Sequence, residues 1–319
     1  MPSTHAVTGL VMAALLLCSP LSSGCGGGNA AGPASPTENR SGSTGPGTGA
    51  VLAPDEVLVG AGDIAQCGIG DAEATAKLLD RIPGTVFTLG DNVQGDGSAA
   101  EYANCFGPAW GRHRSRMFPT IGNHDYDGTG GGPYFAYFGG SAGPPGLGYY
   151  SYTRGAWHIV SLNSEIAAGR GSAQYEWLRE DLAESQSPCT LAMWHRPVFS
   201  SGPSGGSDRM RDAWRLLEVF GADVVLSGHD HDYERFAPQD ADGRATTSGL
   251  REFVVGTGGY PLYGRATSRQ NSEVWESATL GVLKLTLKSG SYDWEFVAVA
   301  GQSFRDVGTA SCAPAQQPR

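Results

Sequence analysis

Five short polar motifs occur in a fixed order along this chain, and each directly follows an apolar run that predicts a β-strand. Their sequences are Gly62-Asp63, Gly90-Asp91-Asn92, Gly122-Asn123-His124-Asp125, Trp194-His195 and Gly228-His229-Asp230-His231. Ligands of open α/β sheets bind at the carboxyl ends of strands, which is where these side chains are expected. Asp, Asn and His supply the oxygen and imidazole ligands that hard-to-borderline divalent metals take. The pattern therefore predicts an α/β protein with a metal centre at the strand ends.

Histidine is rare in this chain, and its distribution supports the same interpretation. Only seven of the 319 residues are histidine, and the motifs contain four of them, His124, His195, His229 and His231. Taken alone, a motif aspartate also fits a helix N-cap, and His195 also fits a histidine of the core. The occurrence of all five motifs in one order favours a shared site over five unrelated turns.

The acidic balance of the chain excludes two broad classes of function. The formal net charge is -10 at pH 7. The chain lacks the excess of Lys and Arg that neutralises nucleic-acid phosphates, and it lacks a polybasic segment for docking on anionic lipid. Bound metal ions would still make a site locally positive, so a phosphate-ester substrate remains compatible with the composition.

The first 25 residues predict a signal for export. They contain no Asp, Glu, Lys or Arg, and an apolar run at 10–17 is followed by small residues and Cys25. This arrangement is typical of a secretory signal and is too short for a spanning helix. It is also similar to a bacterial lipoprotein signal, in which Cys25 would carry the lipid. The alternative is a plain cleaved signal and a secreted protein.

Composition also predicts the domain boundaries. Residues 26–51 are mostly Gly, Ala, Ser, Thr and Pro, so they predict a disordered linker that buries little apolar area. One domain at 52–312 and a short tail at 313–319 account for the rest, and a single α/β domain of about 260 residues is within the usual range.

Four cysteines in the predicted domain indicate disulfides, since an even number in an exported protein is typical of a disulfide framework. They are Cys67, Cys105, Cys189 and Cys312, and they allow three pairings. We favour Cys67 with Cys105, because both lie in loops beside the first two motifs; Cys189 with Cys312 would then hold the C-terminal segment. Zinc binding is the alternative, but no CxxC spacing supports it.

Periodicity predicts a largely parallel α/β sheet in the first half of the domain. Strands are expected at 57–61, 85–89 and 117–121, with helices at 71–82 and 98–110 between them. Antiparallel strands are expected within 134–163. Further helices are expected at 173–184 and 208–220, and further strands at 191–194, 223–226, 252–255, 281–287 and 292–299, the last two joined by a hairpin.

The order of motifs resembles that of the calcineurin-like metallophosphoesterase superfamily. The last motif, Gly228 to Arg235, is similar to the GHxHxYER motif of its purple acid phosphatase branch. The resemblance covers roughly residues 57 to 300. It implies a four-layer α/β/β/α sandwich of two mixed sheets and a site for two metal ions that hydrolyses phosphate esters.

The resemblance also implies a role for each motif residue. Asp63 and His231 would bind the first ion, Asp91 would bridge both ions, and His124 would donate a proton to the leaving group. The second ion would be bound by Asn123, His195 and His229. The nucleophile in this scheme is a hydroxide formed from metal-bound water. The expected substrate is a small phosphomonoester; the alternatives are a phosphodiester or nucleotide, and a surface lipoprotein that binds metal without catalysis.

Two positions depart from the family pattern. Ala65 stands where many relatives have His, and Gln94 stands where purple acid phosphatases have the Tyr whose phenolate colours Fe(III). We therefore expect no purple colour, with the Gln94 amide or water completing the first site. Ligand type does not choose among Zn, Mn, Fe and Ca, alone or in a mixed pair.

Residues beside the ligands are expected to orient the imidazoles or to hold substrate. Asp125, Asp230 and Asp232 are candidates for orienting the imidazoles. An arginine near the ions can grip a phosphate through two hydrogen bonds, but pairing with a nearby Asp or Glu is the competing interpretation. The candidates for these roles at the substrate are Arg196, Tyr233 and Arg235.

Overall fold

The computed structural model describes residues 54–313. The predicted signal with Cys25, the predicted linker at 26–51 and the last six residues of the chain lie outside the described residues. Within residues 54–313, no helix combines the length and the apolar character needed to cross a bilayer.

Thirteen strands and six α-helices organise the described part of the chain. The strands are β1 (Glu56–Ala61), β2 (Thr85–Thr88), β3 (Met117–Phe118), β4 (Tyr150–Arg154), β5 (Trp157–Ser161), β6 (Cys189–Met193), β7 (Val224–Ser227), β8 (Tyr233–Phe236), β9 (Arg251–Val255), β10 (Ser272–Glu276), β11 (Gly281–Lys288), β12 (Ser291–Ala298) and β13 (Val307–Ser311). The helices are α1 (Ala72–Leu79), α2 (Ala99–Glu101), α3 (Asn123–Tyr126), α4 (Gly132–Phe138), α5 (Ala173–Glu184) and α6 (Arg211–Val219).

The strands form two mixed sheets. The first has the order β13-β12-β11-β1-β2-β3, with β1, β2 and β3 parallel and β11 to β13 antiparallel to their neighbours. The second has the order β10-β8-β9-β7-β6-β5-β4, with a parallel centre from β5 to β9. Two mixed sheets with helices outside confirm the predicted α/β/β/α sandwich, and the predicted order of strand, helix and strand forms the parallel part of the first sheet.

Two apolar clusters hold the layers together. The larger one contains side chains of both sheets, such as Leu58 and Leu285 of the first and Leu191 and Phe253 of the second, together with α1. The smaller one packs the outer face of the second sheet against α5 and α6 through residues such as Trp194 and Trp214. Strands buried on both faces read as nearly continuous apolar runs, which is why the central strands were detectable from sequence.

The region 134–163 was predicted only in part. The hairpin of β4 and β5 is present, with Tyr152 opposite Ile159, but residues 132–138 form the helix α4. Pro133 stands in the first turn of this helix, where its missing N–H costs nothing. Tyr134 and Phe138 are four residues apart and both buried. The aromatic residues that suggested strands therefore form the buried face of a helix.

Other boundaries differ from expectation. The helix predicted at 98–110 is α2 followed by a π-helical turn at Tyr102–Phe106, and Pro108 lies directly beyond it. The helix predicted at 208–220 begins with one 3₁₀ turn at Asp208–Met210 before α6. The strands β8, β10 and β13 were missed, because they are short and carry polar residues.

Both expected disulfides are present in the structure. Cys67 is bonded to Cys105, and Cys189 to Cys312. The first bond joins the loop after β1 to the π-helical turn, and the second joins the start of β6 to the end of the described chain. The predicted pairing is therefore confirmed.

Candidate metal centre

The carboxyl ends of strands from both sheets meet at one edge of the sandwich. Asp63 follows β1, Asp91 follows β2 and Asn123 starts α3 after β3, all from the first sheet. His195 follows β6 of the second sheet. His229 and His231 follow β7 of the same sheet, so both sheets contribute side chains to one location.

Four ligand atoms converge at the candidate second position. His195 Nε2 lies 3.1 Å from Asn123 Oδ1, 3.2 Å from Asp91 Oδ2 and 3.1 Å from His229 Nδ1. Atoms that bind one ion at about 2.0–2.2 Å lie about 3–3.5 Å apart. The separations in this group are therefore those of ligands to a common cation, and three of its members form a recognisable metal-ligand cluster.

The candidate first position is formed around Asp63, His231 and Gln94. Asp63 Oδ1 lies 3.3 Å from His231 Nε2 and accepts a hydrogen bond of 3.3 Å from Gln94 Nε2. Gln94 Oε1 is buried and has no hydrogen-bond partner among the described residues. A buried amide oxygen without a donor suits a cation, so these residues fit the first ion as the sequence suggested.

The backbone at the site is held in uncommon conformations. Asp63, Asp91 and His229 have φ values of 59°, 47° and 72°, and Asn271 is the only other non-glycine residue of the described chain with positive φ. Such conformations cost roughly 1–3 kcal/mol each and persist where the surroundings enforce them. Gly122 is required for a different reason: a Cβ there would lie 2.3 Å from Asp91 Oδ1.

Backbone carbonyls orient two of the imidazoles. His195 Nδ1 lies 2.8 Å from the oxygen of Leu89, and His231 Nδ1 lies 3.0 Å from the oxygen of Pro261. Each contact fixes the proton on Nδ1 and turns Nε2 towards the candidate ligand cluster. These partners belong to the backbone, so no side-chain signal in the sequence marks them.

The three aspartates expected to orient imidazoles have other partners. Asp125 accepts hydrogen bonds from Asn92 Nδ2 of the second motif at 3.0 Å and from Gly122 N of the third motif at 2.8 Å, so it joins these two motifs. Asp230 accepts from Ser200 Oγ at 2.5 Å. Asp232 accepts from the indole N–H of Trp275 at 2.8 Å. The expectation was wrong, because the carboxylates are bound by these other donors and not by imidazoles.

The electrostatics of the second position depend on an ion pair. Burial disfavours charge on both Asp91 and His195, but their attraction outweighs it, so the pKa of Asp91 is lowered to about 2 and the pKa of His195 is raised to about 10. Burial, followed by the charges of His195 and Arg196, lowers the pKa of His229 to about 2. His229 and Asp91 are thus in ligating form near neutral pH, whereas His195 has to lose a proton first.

His124 lies beside the ligands without joining them. Its backbone N–H donates to Asp91 Oδ1 at 2.8 Å, and its Nδ1 lies 3.2 Å from the oxygen of Gly95 and 3.2 Å from Asp127 Oδ2. Its Nε2 lies 4.0 Å from Asp91 Oδ2, and 36% of the side chain is exposed. The imidazole is therefore anchored at Nδ1 and presents Nε2 to an accessible part of the site.

The three substrate candidates separate into two groups. Tyr233 OH and Arg235 Nε both donate to Asp306 Oδ2 at 2.7 Å, so Asp306 binds these two side chains away from the candidate ligands. Arg196 pairs with Glu165 through Nε at 2.9 Å, and its Nη1 also lies 2.9 Å from His229 Nε2. Of the three, only Arg196 reaches the ligand cluster.

Sequence reasoning missed residues from two further strand ends. Glu165 follows β5, and the loop after β9 brings Tyr260 and Tyr263 to His231. The Tyr263 ring stacks on His231 with centroids 3.9 Å apart, and the Tyr260 ring meets it edge-on at 5.0 Å. A signal was available, because the apolar run at 252–255 is followed by Gly256-Thr257-Gly258-Gly259, in the same manner as the five motifs.

Comparison with known proteins agrees with this geometry. Purple acid phosphatase 15 of Arabidopsis thaliana is 41% identical over 93 residues, covering 27% of this chain and 18% of that protein. Acid phosphatase of Aspergillus ficuum is 36% identical over 94 residues, covering 28% and 15%. The structure of a purple acid phosphatase from yellow lupin (Lupinus luteus) seeds matches with a TM-score of 0.73 and 20% identity, covering 82% of this chain and 54% of that one. The aligned parts span less than two thirds of each of these relatives.

One family accounts for more than half of the chain. Residues 57–233, which include all five motifs, match the calcineurin-like phosphoesterases. The lupin structure shares the arrangement of two mixed sheets. The chain therefore belongs to the calcineurin-like phosphoesterase family, in its purple acid phosphatase-like branch.

Proposed function

We propose that this chain is a phosphatase that hydrolyses small phosphomonoesters with a pair of metal ions. Asp63, His231 and Gln94 would hold the first ion, Asn123, His195 and His229 would hold the second, and Asp91 would be a ligand of both. When bound, the ions supply an activated water as nucleophile and neutralise charge that develops on the phosphoryl oxygens. The reaction in this proposal has no covalent enzyme intermediate.

One observation carries the proposal, and it is the convergence at the second position. Asn123, Asp91 and His229 each place a ligand atom within 3.2 Å of His195 Nε2, although the four residues come from four separate chain segments. An ordinary core would not bring two imidazoles, an amide oxygen and a carboxylate together, because burying polar groups is costly without partners. The likeness to purple acid phosphatases supports the choice of phosphate esters as substrates.

His124 is the proposed general acid. Its Nδ1 is anchored by Gly95 and Asp127, which leaves Nε2 to hold a proton for the departing alkoxide. General acid catalysis by a positioned imidazole contributes about 10²–10⁴ in rate. The anchoring supports this role, because it keeps the imidazole oriented without making it a ligand.

The proposal is tested with His124→Ala. We expect kcat for p-nitrophenyl phosphate to fall by about 10²–10⁴, with the content of bound metal unchanged, because His124 acts on the leaving group and not on the ions. The matched control is His158→Ala, which removes a histidine paired with Asp181 on the helix side of the second sheet and leaves turnover unchanged. Unchanged kcat in His124→Ala would remove this residue from catalysis.

The same assay decides between the proposed substrate class and its alternatives. Faster hydrolysis of p-nitrophenyl phosphate than of bis-p-nitrophenyl phosphate supports a monoesterase, and the reverse preference indicates a phosphodiesterase. Two bound ions without turnover of either ester would identify a metal-binding protein without catalysis. Metal analysis of the purified protein decides which of Zn, Mn, Fe and Ca the site takes.

Export is also part of the proposal. Two disulfides support it, because such bonds persist in oxidising compartments. Attachment of lipid to Cys25 remains a prediction on residues outside the described range. The intact mass of the mature protein from membrane and soluble fractions tests it, since a diacylated N-terminal cysteine and a plain cleaved N-terminus differ in mass.

A further inference from the structure

Arg196 makes a contact that is incompatible with the proposed metal ligation of His229. In the structure, Arg196 Nη1 lies 2.9 Å from His229 Nε2. Arginine is a donor only, so the contact is a hydrogen bond only while His229 Nε2 carries a lone pair. The other ring nitrogen, Nδ1, is the one that faces the ligand cluster, 3.1 Å from His195 Nε2.

Metal ligation changes the hydrogen-bonding character of His229 Nε2. A ligating imidazole is neutral and offers the metal a lone pair, so ligation through Nδ1 puts the proton of the ring on Nε2. That N–H would then point at the N–H of Arg196, and two donors cannot share a hydrogen bond. Filling the second position through Nδ1 therefore removes the acceptor that His229 Nε2 offers to Arg196.

Glu165 keeps the released guanidinium at the site. Arg196 Nε donates to both oxygens of the Glu165 carboxylate, at 2.9 and 3.0 Å. Ser164 Oγ braces the pair, because it donates to Glu165 Oε1 at 2.9 Å and accepts from Arg196 N at 3.1 Å. Only 10% of the Glu165 side chain is exposed, against 23% for Arg196, so the carboxylate is the more buried partner and the guanidinium is the more accessible one.

From these contacts we infer that loading of the second metal position releases Arg196 from His229 and turns its terminal NH₂ groups to the phosphate of the substrate. Arg196 is then the group that binds a non-ester phosphate oxygen beyond the reach of the two ions. A monoester offers more such oxygens than a diester, and planar guanidinium groups suit them. This inference rests on the proposed function and specifies the phosphate-binding residue of its site.

Binding of inorganic phosphate tests the inference without relying on turnover. We expect the Kd of phosphate for the metal-loaded protein to rise by about ten- to a hundredfold in Arg196→Ala, the effect of losing charge-assisted hydrogen bonds. Arg196→Lys keeps the charge and should show a smaller rise, and Glu165→Gln should weaken phosphate binding although Arg196 is intact. Dimethyl phosphate, which has two esterified oxygens, should bind wild type and Arg196→Ala alike.

The matched control is Arg179→Ala on α5. Among residues 54–313, Arg179 pairs only with Glu176 and Glu180 on the surface, and the Arg179→Ala variant loses the same charge as Arg196→Ala. Its phosphate Kd should stay within about twofold of wild type, which excludes an effect of net charge. In protein stripped of metal by a chelator, wild type and Arg196→Ala should show the same weak binding of phosphate.

Metal affinity provides the second readout. Arg196→Ala should bind the second ion at least as tightly as wild type, because the hydrogen bond that competes for His229 is gone. Weaker binding of that ion, or a phosphate Kd equal to that of wild type in a variant that still turns over substrate, overturns the inference and leaves the proposed function intact. A metal-loaded wild type that neither binds phosphate nor hydrolyses p-nitrophenyl phosphate would overturn both.

Discussion

The two candidate metal positions, which share Asp91 in the proposed scheme, are built differently. At the second position, Asn123, Asp91 and His229 surround His195 Nε2 at 3.1–3.2 Å, and an ion pair already holds this group together. At the first position the remaining groups are Asp63, His231 and the amide of Gln94.

The neighbours of the two positions differ as well. The imidazole of the first position is stacked against Tyr263, whereas His229 of the second position contacts Arg196. An aromatic face covers a ligand without competing for it, and an arginine competes for a ring nitrogen. The comparison indicates that the second position is the more complete cage, because it has two imidazoles with three ligand atoms within 3.2 Å of His195 Nε2, whereas the first position has one imidazole. The two ions should therefore bind in sequence, the second position first.

Removal of the shared ligand should have the largest effect. Asp91→Ala should lose both ions and all measurable turnover, because Asp91 is the proposed ligand of both. Its carboxylate also faces His195 and accepts a hydrogen bond from the backbone of His124. Metal content per chain, measured by mass spectrometry of the desalted protein, checks this. The control Asp208→Ala removes an exposed carboxylate and should retain both ions. Full occupancy of one position in Asp91→Ala would contradict a bridging role.

Loss of one histidine from each position should separate the two ions. His231→Ala should keep the second ion and lose the first, because its Nε2 contacts Asp63 and not the His195 group. His195→Ala should lose the second ion and weaken the first, since Asp91 then lacks the side chain that holds its carboxylate in place. The two variants serve as controls for each other in one metal analysis. Equal loss of both ions in His231→Ala would show that the positions do not load independently.

The proton on His195 makes loading of the second position dependent on pH. The pKa of this imidazole is raised to about 10 by Asp91 against the effect of burial, so near neutral pH a proton has to leave before the cation binds. Affinity for the second ion should therefore rise about tenfold per pH unit, or about a hundredfold between about pH 6 and about pH 8. Competition with a chelator of known pH behaviour measures it. Equal affinities at the two pH values would mean that His195 is neutral in the protein.

Substitution of Gln94 should have the smallest effect, and it should weaken metal binding at the first position only. Gln94→Ala should weaken the first ion by roughly tenfold and leave the second unchanged, because Gln94 contacts Asp63 alone among the candidate ligands. Gln186→Ala, in the exposed connection between α5 and β6, is the matched control. Titration of protein stripped of metal would resolve the two affinities. An unchanged first affinity would exclude the Gln94 amide as a participant in the first site.

The sequence predicted the parts of the site that depend on local order. Asp63, Asp91, Asn123, His195, His229 and His231 each follow a strand, and strands of this apolar composition are detectable from sequence alone. Parallel strands deliver their carboxyl ends to one edge, so the candidate ligands had to meet there once the strands were identified. The disulfide pairing was predictable for a similar reason, because Cys67 and Cys105 flank adjacent strand ends.

Other features depended on contacts between residues far apart in sequence. The helix α4 was mistaken for strand because its buried aromatics fit both periods over a short stretch. Asp230 and Asp232 were assigned to the imidazoles, and the structure pairs them with Ser200 and Trp275 instead. Tyr233 and Arg235 belong to a family motif, yet their partner is Asp306, some seventy residues away.

The sequence by itself determined the α/β class, the candidate ligands and their order, because strand periodicity and rare polar residues are local properties of the chain. Tertiary structure alone decided which partners these side chains contact. Arg196 contacts Glu165 and His229, and Tyr263 stacks on His231. The physical reason is that hydrogen bonds and ring stacking require atoms within a few ångströms, and only the packing of two sheets against each other brings those side chains to that distance.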